Sequence, residues 1–240
     1  MKITPNSGTG PGAITPDGSP VEFYKLVPVE NEPDLVAAEV PSGGSVLDLG
    51  AGVGRVTHAL VERGYEVVAV DESAEMLAEV RGAETVCTRI QDLRLGRRFD
   101  GVLLASNLVH TADEDDRRGL LEACARHVEP EGAVLIQWTP PERHDAFQVG
   151  RGRTRNGLRV ELAALEHVSP GVVNATMRYT HGDVEWSQSF TSRRLSDEQL
   201  EAALREAGLR LDRFLTDDRG WLRAVPLRDE SRSGGSLGGG

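Results

Sequence analysis

A chain of 240 residues with 27 basic against 38 acidic side chains has a formal charge of −11, which excludes a general positive field for nucleic acid or anionic membrane. Hydrophobic residues at 39% and charged residues at 27% are ordinary for one globular α/β domain with a sizeable core. Two cysteines, Cys87 and Cys124, are too few for a disulfide framework or a four-cysteine metal site, so no metal is expected.

Residues 1–20 hold four Gly and four Pro and read as a flexible arm. No apolar stretch with a cleavage site follows Met1, and no apolar run approaches membrane-spanning length, so a cytoplasmic protein is expected. Strands are then predicted at Ser45–Leu49, Glu66–Val70, Glu84–Cys87, Gly101–Ala105 and Ala133–Gln137, all short β-branched runs. Helices separate most of them: one over Val53–Arg63, one behind Ser73 as N-cap, and one behind Thr111 with Glu114 completing a capping box. In this last helix Leu120, Leu121, Cys124 and Val128 share a face, which makes Cys124 a core residue, and Cys87 inside its strand reads the same way. Strands alternating with helices predict a doubly wound, Rossmann-like α/β fold with a mainly parallel sheet. After Gln137 the pattern becomes antiparallel, with extended segments Arg159–His167, Val172–Thr180 and Val184–Thr191. A helix capped by Ser196 and Gln199 covers Ser196–Ala207, and a hairpin near Leu209–Leu215 and Trp221–Val225 brings the main sheet to seven strands. Residues 228–240 form a Gly/Ser tail expected to be disordered.

The segment Val46-Leu-Asp-Leu-Gly-Ala-Gly-Val-Gly-Arg55 carries the chemistry. A hydrophobic strand runs into Gly50, Gly52 and Gly54, and a helix begins at once, offering unpaired N–H groups at a positive dipole end. The dinucleotide fingerprint would require its third glycine at position 55, which is Arg55, so a nicotinamide or flavin cofactor is disfavoured. Asp71 ends the second strand, where a carboxylate can accept hydrogen bonds from both hydroxyls of an unphosphorylated ribose.

With these residues the chain resembles the class I S-adenosylmethionine-dependent methyltransferases. The resemblance covers roughly residues 20–227 and adds Phe99-Asp-Gly-Val-Leu-Leu-Ala105, Leu121–Gly132 and the ending Leu195-Ser-Asp-Glu-Gln-Leu to the glycine loop and Asp71. It implies S-adenosyl-L-methionine as cofactor, with S-adenosyl-L-homocysteine as product. Asp48 and the backbone of Gly50, Ala51 and Gly52 would lie against the methionine part, with Arg55 reaching its carboxylate. Asp71 would hold the ribose, and Glu72 and Met76 would flank ribose and adenine. The family's acidic adenine contact falls on Arg89 here, so the Ile90 backbone and the Gln91 side chain take that role. Tyr24 sits where relatives place an aromatic over the cofactor, and Ala105 and Asn107 follow the fourth strand at the crevice. The cofactor domain would comprise residues 21–139 and 194–227, and residues 140–193 an antiparallel acceptor lid. That lid resembles those of glycine N-methyltransferase and of aminosugar N,N-dimethyltransferases.

Methyl transfer from a sulfonium asks mainly for alignment and exclusion of water. His110, just past the fourth strand, is a candidate catalytic base, the other reading being a structural histidine near a helix cap. Gln137, Trp138, His144, Tyr179 and Trp186 are candidate acceptor contacts. Arg151, Arg153, Arg155 and Arg159 read either as contacts to an anionic group or as a solvated loop. The expected enzyme methylates a nitrogen or oxygen of a small molecule, with secondary metabolites among the expected acceptors, as a monomer or homodimer that binds neither nucleic acid nor membrane. A cofactor-binding protein with a non-methylating catalytic or regulatory role is the rival, since binding and transfer share the same loop.

Overall fold

The computed structural model describes residues 5–227, so residues 1–4 and the predicted tail at 228–240 lie outside the described residues. In chain order the elements are β1 (Ser7–Thr9), α1 (Val21–Tyr24), α2 (Glu32–Glu39), β2 (Ser45–Leu49), α3 (Arg55–Glu62), β3 (Glu66–Asp71), α4 (Ala74–Leu77), β4 (Glu84–Cys87) and β5 (Phe99–Leu104). There follow α5 (Glu114–His127), β6 (Val128–Gln137), α6 (Pro141–Asp145), β7 (Gly152–Arg155), β8 (Leu158–Ser169), β9 (Val172–His181) and β10 (Val184–Arg193). The last are α7 (Asp197–Glu206), β11 (Leu209–Phe214) and β12 (Trp221–Pro226).

Seven strands form one sheet in the order β11-β12-β6-β5-β2-β3-β4, parallel from β6 to β4 and antiparallel at the β11–β12 hairpin. The chain leaves β2 toward β3 and β4, then returns to β2's other side at β5. The order therefore reverses beside β2, and the crevice of such a sheet opens there, outside the carboxyl ends of the strands. Leu47, Leu49, Leu103 and Leu104 are wholly buried because helices cover both faces. Each fully buried leucine contributes about 1.5–3 kcal/mol to stability.

Four antiparallel strands after β6, together with β1, make a second sheet in the order β1-β10-β9-β8-β7. Residues expected to be a flexible arm are thus partly built into the fold: Ser7, Gly8 and Thr9 pair with Ser189, Gln188 and Ser187. The ring nitrogen of Trp186 fixes the next stretch by donating to the Pro11 carbonyl at 2.9 Å. A Gly/Pro-rich segment finds its order through partners on a distant strand, which local propensity does not encode.

Two further expectations change. The cap of α5 is Asp113, whose side chain accepts from the Asp116 N–H, and not Thr111, whose backbone bridges Ser192. Cys87 is exposed while Cys124 is buried, because β4 is the outermost strand of its sheet.

Candidate functional site

Gly50, Gly52 and Gly54 have φ of +74°, +56° and +80°, a left-handed path that only glycine follows without strain. The N–H groups of Gly50 and Ala51 both donate to the Val70 carbonyl, at 2.9 and 3.0 Å, which folds the loop back against the end of β3. A Cβ on Gly50 would sit 2.7 Å from Leu108 Cδ1, so backbone is exposed where any side chain would collide. Asp71 then ties the loop: its Oδ2 accepts from Gly52 N–H at 2.8 Å and its Oδ1 from Ser73 N–H at 2.9 Å. Each carboxylate oxygen keeps a second lone pair for a ligand hydroxyl. Burial raises the pKa of Asp71, and Glu72 at its side is raised by the same cause.

Asp48 is buried in β2 and accepts a hydrogen bond from the Thr57 hydroxyl of α3 at 2.7 Å. Burial pushes its carboxyl up to about 6. Arg55 opens α3, and its guanidinium donates to Glu32 at 2.6 Å and to the Pro28 carbonyl at 3.4 Å. Glu32, its side chain 3% exposed, was not foreseen; it stands in a separate helix, and nothing in its local pattern announces the pairing. Met76 is buried, with its sulfur 3.9 Å from where a Gly52 Cβ would lie, and Val21, Val53 and half-buried Tyr24 pack with it. Ile90 approaches Gly50 from another side, 3.8 Å from its virtual Cβ.

Several expected contacts are otherwise engaged. Gln91 turns away, its amide donating to Asp116 at 3.0 Å and its stem packing on Gly119. α5 offers this side chain a carboxylate partner and a glycine-sized gap. Ala105 is buried at the end of β5, and Asn107, at φ +55°, accepts from the Thr139 hydroxyl at 3.1 Å. Gln137 accepts from the Ser106 N–H at 2.7 Å and braces the same loop.

His110 is 4% exposed, and both ring nitrogens are used. Nδ1–H donates to the Arg193 carbonyl at 2.7 Å, and Nε2 accepts from the Thr139 N–H at 2.8 Å. Burial pushes its pKa down to about 4. With both nitrogens bonded to backbone groups, one on β10 and one just past β6, the imidazole braces the two sheets against each other. Its neutral form is favoured in the native state, so its contribution is complete above the unfolded value near 6.5 and is lost as pH falls toward 4. The difference in unfolding free energy between the wild type and His110→Gln should shrink by about 3 kcal/mol across that window. Denaturant unfolding from pH 8 to pH 4 measures it; a constant difference would mean His110 titrates as in the unfolded chain.

Trp138 is 1% exposed, stacks between His110 and Phe214, and donates its indole N–H to the Arg219 carbonyl. The residue after β6 thus turns into the core. His144 is buried beside His110 and Phe147, and its Nε2 has no hydrogen-bond partner among the described residues. Burial lowers its pKa, so this imidazole is neutral at pH 7. Arg153 and Arg155 reach Glu30, and Arg159 pairs with Glu161, so these guanidinium groups are held by carboxylates of the chain itself.

A polar network that sequence reasoning missed joins α1 to the antiparallel sheet. Tyr24 and Tyr179 both donate to Gln188 Oε1, at 3.1 and 3.0 Å, and Gln188 Nε2 donates to Ser19 Oγ at 2.9 Å. The Ser19 hydroxyl donates onward to Asp17 at 2.9 Å. Phe23 lies flat on Tyr179, ring centroids 3.7 Å apart, and touches Trp186. Tyr179 and Trp186 are thus covered by residues 10–23, and the antiparallel sheet reaches the glycine loop through Tyr24.

The family model described as "Methyltransferase domain" matches residues 46–132, from β2 into β6. An uncharacterized methyltransferase of Mycobacterium tuberculosis is 34% identical over 189 residues, which are 75% of this chain and 73% of that protein. The chain belongs to the class I S-adenosylmethionine-dependent methyltransferases. The dTDP-3-amino-3,6-dideoxy-alpha-D-glucopyranose N,N-dimethyltransferase of Streptomyces fradiae is 32% identical over 129 residues, 51% of each chain. The chain spans between about half and three-fifths of the length of several curated relatives that it matches. Among solved structures, the CcbJ methyltransferase of Streptomyces caelestis shares the fold with a TM-score of 0.71 at 20% identity, over 87% of this chain and 96% of that one. This methyltransferase chain fits S-adenosylmethionine on its own geometry: a cradle of bare backbone where a Cβ at Gly50 would collide with Leu108, and a half-buried carboxylate at the tip of β3.

Proposed function

We propose that this methyltransferase transfers the methyl group of S-adenosylmethionine to a nitrogen of a small molecule, with residues 140–193 as the acceptor lid. One observation carries the reading: Tyr24, packed on the Met76 and Val53 side of the glycine loop, is hydrogen-bonded through Gln188 to the antiparallel sheet. Cofactor cradle and lid therefore meet at one residue. The name of the Streptomyces fradiae relative, an aminosugar N,N-dimethyltransferase, supports nitrogen over oxygen and an amino-sugar acceptor.

When bound, S-adenosylmethionine supplies an electrophilic methyl group on a sulfonium. Asp71 would hold the ribose hydroxyls, and the Gly50–Gly52 backbone would allow close approach of the methionine part. Arg55, steadied by Glu32, would be the cation for its carboxylate. Tyr24 and the covered Tyr179 exclude water, which leaves alignment as the main source of rate. His110 moves no proton in this scheme. His144, neutral and with Nε2 unpaired, is a group able to accept a hydrogen bond from an incoming amine.

The test has two parts. Calorimetry should show binding of both S-adenosylmethionine and S-adenosylhomocysteine. Incubation with methyl-labelled cofactor and a panel of amines, including dTDP-linked 3-amino-3,6-dideoxyhexoses, should label an amine and spare hydroxyl analogues of the same skeleton. Binding with no transfer to any amine, or transfer to the hydroxyl analogue alone, would overturn the reading.

A further inference from the structure

Most arginines among the described residues pair with carboxylates of the chain. Arg94, Arg98 and Arg126 have no such partner, and all three line one open depression of about 390 Å³. Arg97 lines it too, paired with Glu84 and lying over the Phe99 ring, and Gly96 and buried His127 complete the wall. The concentration of unpaired positive charge is local and stands against a chain charge of −11.

The cations are held in place. Arg94 Nη1 donates to the carbonyls of Gln91 and Leu93, at 3.0 and 2.7 Å, and Arg126 Nη1 reaches the same Leu93 carbonyl at 3.3 Å. Arg98 Nη1 donates to the Val128 carbonyl at 2.6 Å. One nitrogen of each guanidinium is thereby anchored to backbone, and the rest of each planar fork has no acceptor among the described residues. His127 adds no charge to them: Nδ1 is bonded to the Ala123 carbonyl at 2.7 Å and Nε2 accepts from Leu95 N–H at 3.2 Å. Burial lowers its pKa, and the guanidinium groups of Arg126, Arg94 and Arg98 lower it further, so it is neutral. Glu122 acts favourably on Arg126 but forms no ion pair with it. Three cations gathered this closely repel one another, and a multivalent anion would relieve that repulsion.

The place is separate from the methyl-transfer crevice. Arg94, Arg97 and Arg98 precede β5, and Arg126 and His127 precede β6, so the depression lies at the amino ends of parallel strands whose carboxyl ends carry the cofactor loop. We infer that Arg94, Arg98 and Arg126 form a binding site for a small multivalent oxyanion of the phosphate type, distinct from the cofactor and acceptor sites. A tetrahedral oxyanion offers oxygens in several directions, which suits forks arriving from the loop before β5 and from the end of α5; a carboxylate offers two in one plane.

Inorganic pyrophosphate is the probe, titrated into the full chain by calorimetry at constant ionic strength, with citrate and chloride as comparisons. Saturable pyrophosphate binding is expected, and Arg94→Ser/Arg126→Ser should weaken it at least tenfold with S-adenosylhomocysteine affinity unchanged within twofold. Should that double variant fail to fold, Arg98→Gln should still weaken pyrophosphate binding severalfold. Absence of saturable binding to the wild type, equal binding by the variants, or equal binding of citrate would each overturn the assignment.

Discussion

Asp71→Ala should lower the affinity for S-adenosylmethionine by about a hundredfold or more, equivalent to roughly 3 kcal/mol. Two losses combine. The carboxylate accepts the Gly52 and Ser73 N–H groups at 2.8 and 2.9 Å, and hydrogen bonds to a charged group are worth about 1.5–3 kcal/mol each. Removing it frees the loop that presents bare backbone and also removes the acceptor for the ribose hydroxyls. Calorimetry of the variant with S-adenosylhomocysteine, beside its circular dichroism, separates ligand loss from unfolding. A folded variant that binds within threefold of the wild type would show that Asp71 is only a turn-forming acid at the head of α4.

Arg55→Met should cost about 3–5 kcal/mol of unfolding free energy, because it leaves the Glu32 carboxylate buried without its cation. Glu32 is 3% exposed and lies 2.6 Å from the guanidinium, and the Glu30 N–H is its other donor, at 2.8 Å. The double variant Glu32→Gln/Arg55→Met should regain most of the loss, since no uncompensated charge remains. Urea unfolding of the two single variants and the double closes the cycle. If Arg55→Met alone is as stable as the wild type, Glu32 has taken a proton or reached water, and the pair holds nothing together. Even the stable double variant should bind cofactor poorly, which assigns Arg55 a part in the site beyond its stability.

These expectations draw unequally on the linear chain. Ser196 and Gln199 form the capping box of α7 as their spacing predicts, and Ser73 caps α4, because capping involves atoms three residues apart. The glycine loop and Asp71 were legible for a related reason: each strand of a parallel sheet ends at the same edge, so carboxyl-terminal residues of neighbouring strands converge. Thr111 shows the limit of local rules. It had the residue type for a cap, but its backbone was drawn into a bridge with Ser192, and Asp113 capped α5 instead.

Chain order alone determined the parallel core, the glycine turn, the carboxylate at the end of β3 and the antiparallel strands that follow β6, since each rests on periodicity or short-range spacing. Only the tertiary structure decided what the polar residues at the crevice are free to do. His110 spends both nitrogens on Arg193 and Thr139, Arg55 leans on Glu32, and Gln188 gathers Tyr24, Tyr179 and Ser19 from two other parts of the chain. A side chain's residue type states which hydrogen bonds and charges it can offer. Whether a ligand or the protein itself takes them depends on distant partners, and the same holds for Arg94, Arg98 and Arg126, whose forks pair with no carboxylate among the described residues.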